Sequence, residues 1–508
     1  MATMDELAEE HAKRRAKALA MGGPEKLAKR RAEGVLNARE RLDALLDADS
    51  FVESGLFAVS MRAEMREVSA ADAKIAGFGR IDNRRVAVVS NDFTVLGASS
   101  SSINGKKIRH VKKAATQGGM PLILLGESAG ARMPDRMGAS GRAILGQDPE
   151  EYLRVRKTPW VSAVLGPCYG SSTWYSCISD FVVMRKGAAM SVASSRVTTV
   201  AIGKHTDSEE LSGWKLHATT TGLIDTVAEN DADAIAQIRR FLSYLPSHSG
   251  EAAPRAAPLP PADPADRILE VLPESRHKTY DVRGIIKCVV DAGSEFELKP
   301  RFGRSICTTL ARIEGRSVGI LASNPYFKGG AIDVDACRKA ISFMVLCDSF
   351  NVPLVFLVDQ PGFLIGLEGE LRGAPGYIMN WMNAISLVTV PKISVVMRKS
   401  YGQAYLNMGG GRNSDEVAVW PMADLGFVDP AVGVSILHKI KRADDPERFD
   451  QLAAELARDS SAWELAALYE AQTVLDPRDT RTYLANMLDI HGGRGVGKHL
   501  LANWPTSF

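Results

Sequence analysis

The sequence lacks the features that mark membrane, disulfide-bonded and zinc-binding proteins. No apolar run reaches about 18 residues, so no membrane-spanning segment is expected. The cysteines form no C-x-x-C pair and no zinc-ligand spacing, which predicts free, buried thiols in a reducing compartment, the cytoplasm, and no metal site in this chain. The six cysteines are Cys168, Cys177, Cys288, Cys307, Cys337 and Cys347.

An excess of charge of one sign is also absent. The 62 basic and 60 acidic residues give a net charge of +2. No basic segment is interleaved with aromatic residues, so a nucleic-acid partner is not expected. Near the N-terminus, Lys13 and Arg14 stand beside Glu6 and Glu9. A transit peptide would lack those acids, so this segment is interpreted as the solvated face of a helix.

The chain does contain an internal repeat. Pro159 and Pro391 are 232 positions apart, and many other identical residues are related by the same offset. A chain of 508 residues is too long for one ordinary core, and the repeat predicts one domain built twice. Other matched pairs are Pro121 with Pro353, Gly130 with Gly362, Tyr169 with Tyr401, and Gly170 with Gly402.

The predicted secondary structure follows the same order in both halves. In the first half, residues 85–90 are predicted to form a strand, 107–116 a helix and 121–125 a buried strand. An alternation of this kind is typical of layered α/β proteins. The corresponding elements of the second half are 316–322, 335–347 and 353–358.

Composition divides the chain into four segments. Residues 1–50 carry a helical pattern, and residues 249–266 are rich in alanine and proline, which predicts a linker. Residues 51–248 and 267–508 are then the N-terminal and C-terminal domains. Residues 447–469 are predicted to close the chain with one amphipathic helix.

Each half has a glycine loop after its second buried strand, at 166–172 and at 398–404. Each loop is expected to open a helix, whose first backbone N–H groups lack internal partners and point outward. Such donors bind anions and can stabilise a carbonyl oxygen that becomes negative during a reaction. Alternatively, the small residues serve only to let the helix pack tightly on the strand.

Three other features of the sequence are candidate catalytic or binding sites. Glu127 and Asp359 each follow a buried strand, where an acid is either structural or a general acid or base. Residues 492–498 resemble a phosphate-binding loop, but His499 stands where serine or threonine is required and no strand is predicted before it. No serine–histidine–acid set can be assembled, and His205 and His217 are interpreted as polar packing.

Four motifs point to a known family: 92–97 (DFTVLG), 128–132 (SAGAR), 347–353 (CDSFNVP) and 361–364 (PGFL). With them, nearly the whole chain resembles the carboxyltransferase (beta) subunit of biotin-dependent acyl-CoA carboxylases, of the propionyl-CoA and methylcrotonyl-CoA type. The resemblance implies two crotonase-like domains of spiral ββα units. It also implies a hexamer whose active site lies between the N-terminal domain of one subunit and the C-terminal domain of another.

The resemblance implies an enzyme that forms a carbon–carbon bond. A carboxyl group passes from carboxybiotin to the α- or vinylogous carbon of an acyl-CoA thioester. Two backbone oxyanion holes carry the catalysis. The first, at Gly170 and Ser171, stabilises the thioester enolate, and the second, at Gln403 and Ala404, stabilises the biotin ureido oxygen. The implied biotin-binding residues are Gly362, Phe363, Gly402 and Tyr405, and the implied acyl-CoA-binding residues are Ala129, Gly130, Ala131, Arg132, Tyr169 and Leu406.

The chain departs from the family pattern around these loops. Ser171 and Gln403 replace glycines, Leu406 replaces an aspartate that is linked to acyl selectivity, and Tyr169 and Trp174 add bulk beside the first hole. A backbone donor survives such changes where the dihedral angles suit a residue with a Cβ atom. We therefore expect an acyl group unlike propionyl, or a changed approach of biotin.

The resemblance also implies partners. The chain has no biotinylation motif and no ATP-grasp region, so biotin and its carboxylase must come from a partner (alpha) subunit. Two alternatives stay open. One is a subunit of a biotin-dependent acyl-CoA decarboxylase, which runs the same chemistry in reverse. The other is a catalytically silent assembly subunit, since both glycine loops are altered.

Overall fold

Apolar runs that alternate with one-sided helices produce a β-sheet in each half of the chain. The computed structural model describes residues 2–139, 141, 152–497 and 499–505. The chain divides into two units, Met1–Ser249 and Gly250–Phe508, and each unit contains one eight-stranded sheet. The predicted α/β fold, with a repeated domain and a helical N-terminus, is confirmed.

The sheet of the first unit has the strand order β1-β2-β3-β4-β5-β6-β8, with β7 paired to β5. The first three strands are antiparallel, and those from β3 onward are parallel. The parallel strands are apolar along their length because both faces of a parallel sheet are usually covered. The strands are β1 (Val52–Glu53), β2 (Lys74–Ile81), β3 (Arg84–Asn91), β4 (Leu122–Ser128), β5 (Trp160–Tyr169), β6 (Phe181–Arg185), β7 (Ala189–Ser191) and β8 (Thr226–Ala228).

Some helices of the first unit pack on this sheet. On α4 (Ser102–Gly118), Ile108, Val111 and Ala115 pack against strand residues such as Leu122 and Leu124. The spacing of these residues puts them on one face of a helix. The other helices are α1 (Met4–Leu19), α2 (Pro24–Ala32), α3 (Ala38–Leu45), α5 (Met133–Arg136), α6 (Ser171–Cys177), α7 (Ser195–Ile202), α8 (Ser208–Ser212), α9 (Trp214–Leu216) and α10 (Asp231–Leu242).

The sheet of the second unit has the order β16-β14-β13-β12-β11-β10-β9, with β15 paired to β13. Its strands are β9 (Phe296–Leu298), β10 (Ile306–Ile313), β11 (Arg316–Ser323), β12 (Leu354–Gln360), β13 (Lys392–Tyr401), β14 (Glu416–Val419), β15 (Asp424–Gly426) and β16 (Thr473–Val474). Its helices are α11 (Arg267–Val271), α12 (Arg283–Val289), α13 (Val334–Ser349), α14 (Leu367–Leu371), α15 (Ala374–Leu387), α16 (Ala404–Asn407), α17 (Pro430–Leu437), α18 (Pro446–Leu456), α19 (Ala462–Ala467) and α20 (Thr480–Ile490).

The duplication holds residue by residue. Strands β2 to β5 and β10 to β13 begin and end at positions that differ by the same offset of 232. The irregularity in strand pairing also recurs, between Gly126 and Ser128 in the first unit and between Val358 and Gln360 in the second. The repeat read from identical residues is therefore a repeat of backbone geometry.

Two predicted segments look different in the structure. The single helix over 447–469 is wrong: α18 ends at Leu456, and Ser461 caps a separate α19 by accepting a hydrogen bond from the Glu464 N–H. Helix α20 then follows it in the chain. The proline-rich stretch 249–266 runs beside strands of the second unit, with hydrogen bonds from the Ala256 N–H to the Gly315 oxygen and from the Ala292 N–H to the Pro260 oxygen.

The cysteines are free thiols, and all are buried except the half-buried Cys177. Within the described residues, no helix has both the length and the apolar character needed to cross a bilayer. The glycine-rich stretch 492–498 comes after α20 rather than after a strand, and its last residue, Lys498, lies outside the described residues.

Candidate active site

In the first unit, two loops meet at the carboxyl ends of β4 and β5. Gly130 and Gly170 have φ angles of 99° and 63°, which residues with a Cβ atom rarely adopt. A Cβ atom on Gly170 would lie 3.7 Å from the Gly130 Cα, so the two backbones are close. As predicted, the second loop opens a helix, α6.

These loops present two backbone donors. Gly130 oxygen accepts from the Ser100 N–H at 2.8 Å, and the Arg132 N–H donates to the Ser100 oxygen at 2.9 Å. The Ala131 N–H lies between these two bonds, and neither it nor the Ser171 N–H has an acceptor among the described residues. Two unpaired donors on adjacent loops can bind one carbonyl oxygen.

The second unit repeats the arrangement. The Ile332 N–H donates to the Gly362 oxygen at 3.1 Å, and the Leu364 N–H donates to the Ile332 oxygen at 2.8 Å, so the Phe363 N–H is bracketed in the same way. In the described part of the chain, the N–H groups of Phe363, Gln403 and Ala404 also find no acceptor. Gly402 differs, because its N–H donates to the Gly426 oxygen at 3.0 Å.

Ser171 and Gln403 stand where the family pattern has glycine, and the backbone tolerates both. Gln403 has φ −60° and ψ −27°, and Ser171 begins α6 with a negative φ. Any L-residue adopts these angles. The glycines that need a positive φ, Gly170 and Gly402, are still present. The side-chain changes therefore leave the backbone donors in place.

The two acids that follow the buried strands have structural partners. Glu127 pairs with Arg30 at 2.7 Å and with Arg41 at 2.6 Å, and Asp359 pairs with Arg398 at 2.9 Å. Burial alone lowers the pKa of Arg41, but its ion pairs with Glu127 and a second acid outweigh that effect and raise it. These contacts support the structural interpretation of both acids.

Arg132, expected to bind the acyl-CoA, is turned into the first unit. Its guanidinium pairs with Asp72 at 2.6 Å and also donates to the Ser99 oxygen. It is 4% exposed, so it holds the loop rather than offering a free charge.

His217 is also buried, with its ring nitrogens near the Met190 oxygen at 2.7 Å and the Thr221 hydroxyl at 3.0 Å. Burial lowers its pKa.

Bulky side chains flank both loops. Tyr169 ends β5 directly before Gly170, and burial raises its pKa. Trp174 on α6 is 38% exposed, and Leu406 on α16 is its counterpart in the repeat. Burial likewise raises the pKa of Tyr405. The two glycine loops thus differ at this position, with Trp174 in the first unit and Leu406 in the second.

Two cavities of the first unit were not predicted from the sequence. The larger, about 990 Å³, has apolar walls that include Leu7 and Phe57. The smaller, about 440 Å³, shares Lys26 with the larger one. Acids in the same walls pair with some of the cations, as Glu10 does with Arg14 and Glu127 with Arg30. The remaining cations beside apolar walls suit a long ligand with anionic groups. The basic side chains around the two cavities are Arg14, Lys17, Lys26, Lys29, Arg30, Arg66 and Arg185.

Comparison with known proteins decides the family. The carboxyl transferase domain model matches residues 29–492. The chain belongs to the carboxyl transferase family. It is 33% identical over 500 residues to the methylmalonyl-CoA carboxyltransferase 12S subunit of Propionibacterium freudenreichii, covering 96% of this chain and 95% of that one.

Two further relatives place this carboxyl transferase chain among acyl-CoA enzymes. The carboxyltransferase subunit of Haloferax mediterranei propionyl-CoA carboxylase is 33% identical, with 95% of each chain covered. The crystal structure of transcarboxylase 12S, a hexamer with hydrolysed methylmalonyl-CoA bound, superimposes with a TM-score of 0.91 at 33% identity, over 98% of this chain and 99% of that one. This chain is an acyl-CoA carboxyltransferase, and the predicted family is confirmed.

The unpaired N–H groups of Ala131 and Phe363 were not predicted from the sequence, where both residues were predicted only to bind substrate or biotin. A signal was present, because they are counterparts in the repeat and each follows a glycine. What the sequence could not show is that Ser100 and Ile332 take the neighbouring hydrogen bonds and leave these two N–H groups unpaired.

Proposed function

We propose that the chain transfers a carboxyl group from carboxybiotin, carried by a partner subunit, to the α- or vinylogous carbon of an acyl-CoA thioester. The observation that carries this proposal is the duplicated pair of unpaired donors. Ala131 and Ser171 form the pair in the first unit, and Phe363 and Gln403 form it in the second. Carboxyl transfer to an enolate needs two oxygens stabilised, and the chain offers two matching sites.

In the first site, the N–H groups of Ala131 and Ser171 bind the thioester oxygen of the acyl-CoA. They hold the negative charge that this oxygen gains when the α-proton leaves, and so stabilise the enolate that forms the new carbon–carbon bond. Each such donor is worth roughly 3 to 4 kcal/mol of transition-state stabilisation.

In the second site, the N–H groups of Phe363 and Gln403, with that of Ala404, fit the ureido oxygen of biotin. When bound, carboxybiotin supplies the carbon dioxide and the base for the α-proton. Gly402 does not contribute a donor, because its N–H is taken by the Gly426 oxygen. Its part is to make the positive-φ turn that exposes the next two N–H groups.

The acyl group is proposed to be unlike propionyl. Trp174, Tyr169 and Leu406 place aromatic and aliphatic bulk near the two loops, and an apolar wall favours apolar acyl substituents. The CoA moiety is assigned to the two basic cavities of the first unit, where Lys26 borders both. Ammonium and guanidinium groups suit its phosphates.

The partner is proposed to be a biotin carboxylase and biotin carrier (alpha) subunit, and the assembly a hexamer of this chain. Support comes from the 12S relative, whose crystal structure is a hexamer at the core of a multienzyme complex. Purification of the chain from its native host, followed by mass measurement and biotin detection, tests both proposals. A lone monomer without a biotinylated companion would contradict them.

The function itself is tested with the co-purified complex and a panel of acyl-CoA esters. ATP-dependent fixation of bicarbonate into one or more esters, with propionyl-CoA a poor substrate, is the expected result. Release of carbon dioxide from carboxylated esters without ATP-driven fixation would instead indicate a decarboxylase. Absence of both activities, together with no binding of CoA, would indicate a silent assembly subunit.

A further inference from the structure

A buried lysine lies behind the first pair of donors. Lys74, at the start of β2, is 2% exposed, and its Nζ donates to the Ala98 oxygen at 2.9 Å. The same side chain lines a small internal cavity of about 20 Å³ together with Asn91, Ser171 and Ser172. A buried ammonium is costly unless it is paired and hydrogen-bonded, so the bond to the Ala98 oxygen is important for keeping Lys74 charged.

The duplication supplies a comparison within the chain. The counterpart of Lys74 in the second unit is Ile306, so that sheet is built without this charge. Another buried lysine, Lys107, does have a counterpart, Lys339, and each donates to backbone oxygens near the start of a matching strand. Lys107 and Lys339 therefore stabilise a feature that both units share, whereas Lys74 has a role that is found only in the first unit.

The carbonyl that Lys74 holds belongs to a strained turn. Leu96, Gly97 and Ala98 all have left-handed backbones, with φ of 50°, 59° and 48°. A left-handed alanine or leucine costs about 1 to 2 kcal/mol. The matching turn of the second unit also has a left-handed non-glycine residue, Lys328 with φ 52°, but it ends in Gly330, with φ 86°, where glycine adopts this conformation freely. The unit with the strained alanine has the lysine, and the unit with the glycine has isoleucine.

The strained turn carries the loop that presents the Ala131 N–H. The Gly97 oxygen accepts from the Ala129 N–H at 2.8 Å. The Ala98 oxygen accepts from the Ser128 hydroxyl at 3.2 Å as well as from the lysine, and the Ser128 hydroxyl accepts from the Gly130 N–H at 3.1 Å. A shift of the turn therefore moves residues 128–131.

We propose that Lys74 is a positioning residue for the first oxyanion site. Its ammonium holds the Ala98 carbonyl, fixes the left-handed turn Leu96–Ala98, and through Ser128 sets the position of the Ala131 N–H. The inference rests on the proposed function for its effect on turnover, but its effect on the turn is independent of that function.

The charge on Lys74 depends on its surroundings. Burial, with smaller contributions from Arg132 and Lys107, lowers the pKa of Lys74 to about 7, against the opposing effects of Cys168 and Asp72. Cys168 faces the lysine from β5, and burial raises the pKa of its thiol to about 12, so the thiol is neutral. Lys74 therefore loses its proton as pH rises through about 7, and its hold on the carbonyl weakens.

The turnover test uses the full-length chain with its biotinylated partner and the best ester of the panel. Lys74→Ile, the residue of the second unit, is expected to lower kcat about tenfold, less than the loss of a donor itself, with KM changed less than threefold. Lys74→Ile/Ala98→Gly, which introduces both residues of the second unit, is expected to recover most of that loss because it removes the strain at Ala98. Lys74→Arg is expected to flatten the wild-type decline of kcat above pH 7.

A second measurement needs no turnover. Hydrogen exchange of peptides covering 96–100 and 128–132 is expected to speed up at least about fivefold in Lys74→Ile and to return to the wild-type rate in Lys74→Ile/Ala98→Gly. Lys339→Met is the control for loss of a buried lysine, and should leave these peptides unchanged. If Lys74→Ile does not fold, Lys74→Met and the double variant are compared instead.

The outcomes separate the two claims. Wild-type exchange rates in Lys74→Ile, or a double variant no better than the single one, would overturn the role of Lys74. A wild-type complex that carboxylates no CoA ester would overturn the proposed function, while the exchange measurement would still decide whether Lys74 holds the turn.

Discussion

The hydroxyl oxygens of Ser100 and Ser171 lie 2.6 Å apart. Ser100 is also the residue whose backbone brackets Ala131, so this one hydrogen bond ties both donors of the first site together. Ser171 therefore does more than replace a glycine. Its side chain is directed to Ser100, and its backbone N–H is left unpaired.

The first prediction concerns that N–H. Ser171→Pro removes the donor at the first helical position, where proline is well tolerated, and is expected to lower kcat by about 10²- to 10³-fold. Ser171→Gly keeps the donor and should retain kcat within about threefold while losing the bond to Ser100. Steady-state kinetics on a responsive ester check this, and a Ser171→Pro enzyme with wild-type kcat would remove Ser171 from the site.

The second prediction concerns the other unit. Gln403 has a φ of −60°, which proline also adopts, so Gln403→Pro deletes one donor with little strain. We expect a loss of kcat of about 10²-fold or more with KM for the acyl-CoA nearly unchanged. Gln403→Ala retains the donor and is the matched control. An increase in acyl-CoA KM alone would contradict the assignment of this loop to biotin.

The third prediction concerns acyl selectivity. Trp174→Ala opens space beside the first loop and should lower kcat/KM for bulky apolar esters about tenfold relative to propionyl-CoA, because lost apolar contact is worth about 1 to 3 kcal/mol. Trp463→Ala, an exposed tryptophan of the second unit, is the control. Equal changes for all esters would show that Trp174 does not contact the acyl group.

The fourth prediction concerns the basic cavities. Lys26 borders both of them and donates to the Thr94 oxygen at 3.1 Å. Lys26→Ala is expected to raise KM for acyl-CoA several-fold with little effect on kcat, since contacts to a remote part of a substrate are made equally in the ground and transition states. Lys13→Ala on the exposed face of α1 should change neither constant. A fall in kcat without a change in KM would place Lys26 outside the CoA site.

The fifth prediction concerns stability. Burial lowers the pKa of Lys339 from 10.5 to about 8. Between pH 8 and 10.5 the unfolded chain binds a proton at this lysine that the folded chain has released, so the free energy of unfolding rises with pH over this window. Other buried lysines and cysteines titrate in the same range, so the contribution of Lys339 is measured as a difference between proteins. In urea unfolding at several pH values, the slope of the unfolding free energy against pH should be less positive in Lys339→Met than in the wild type. The exposed Lys441→Met should keep the wild-type slope, and an unchanged slope in Lys339→Met would contradict the assignment.

Much of the fold could be predicted because the repeated segments consist of residues with strong local preferences for strand or helix. The predicted strand 85–90 and helix 335–347 lie within observed elements, and the predicted strand 353–358 begins one residue before β12, since apolar runs and helical spacing determine them locally. The single helix predicted over 447–469 was wrong because Ser461 caps a new helix. The apolar spacing continues across this cap, so the spacing alone did not reveal where one helix ends and the next begins.

The candidate site could be predicted only in part. The glycine loops were visible because a positive φ demands glycine at Gly170 and Gly402. The donor at Ala131 was not, since its availability depends on bonds made by Ser100, which lies 31 positions earlier in the chain. Lys74 was not predicted to matter, because charged residues are common at the start of a strand. Only its burial, and the isoleucine at the matching position 306, distinguish it.

Main-chain donors also bear on how the two halves diverged after duplication. A catalytic side chain is lost by almost any codon change, whereas the N–H groups of Ala131, Ser171, Phe363 and Gln403 are lost only when the codon becomes that of proline. The side chains at the donor positions themselves could therefore change, and the sequence has serine at 171 and glutamine at 403. Such an architecture allows the two sites to take on different ligands without an inactive ancestor between them.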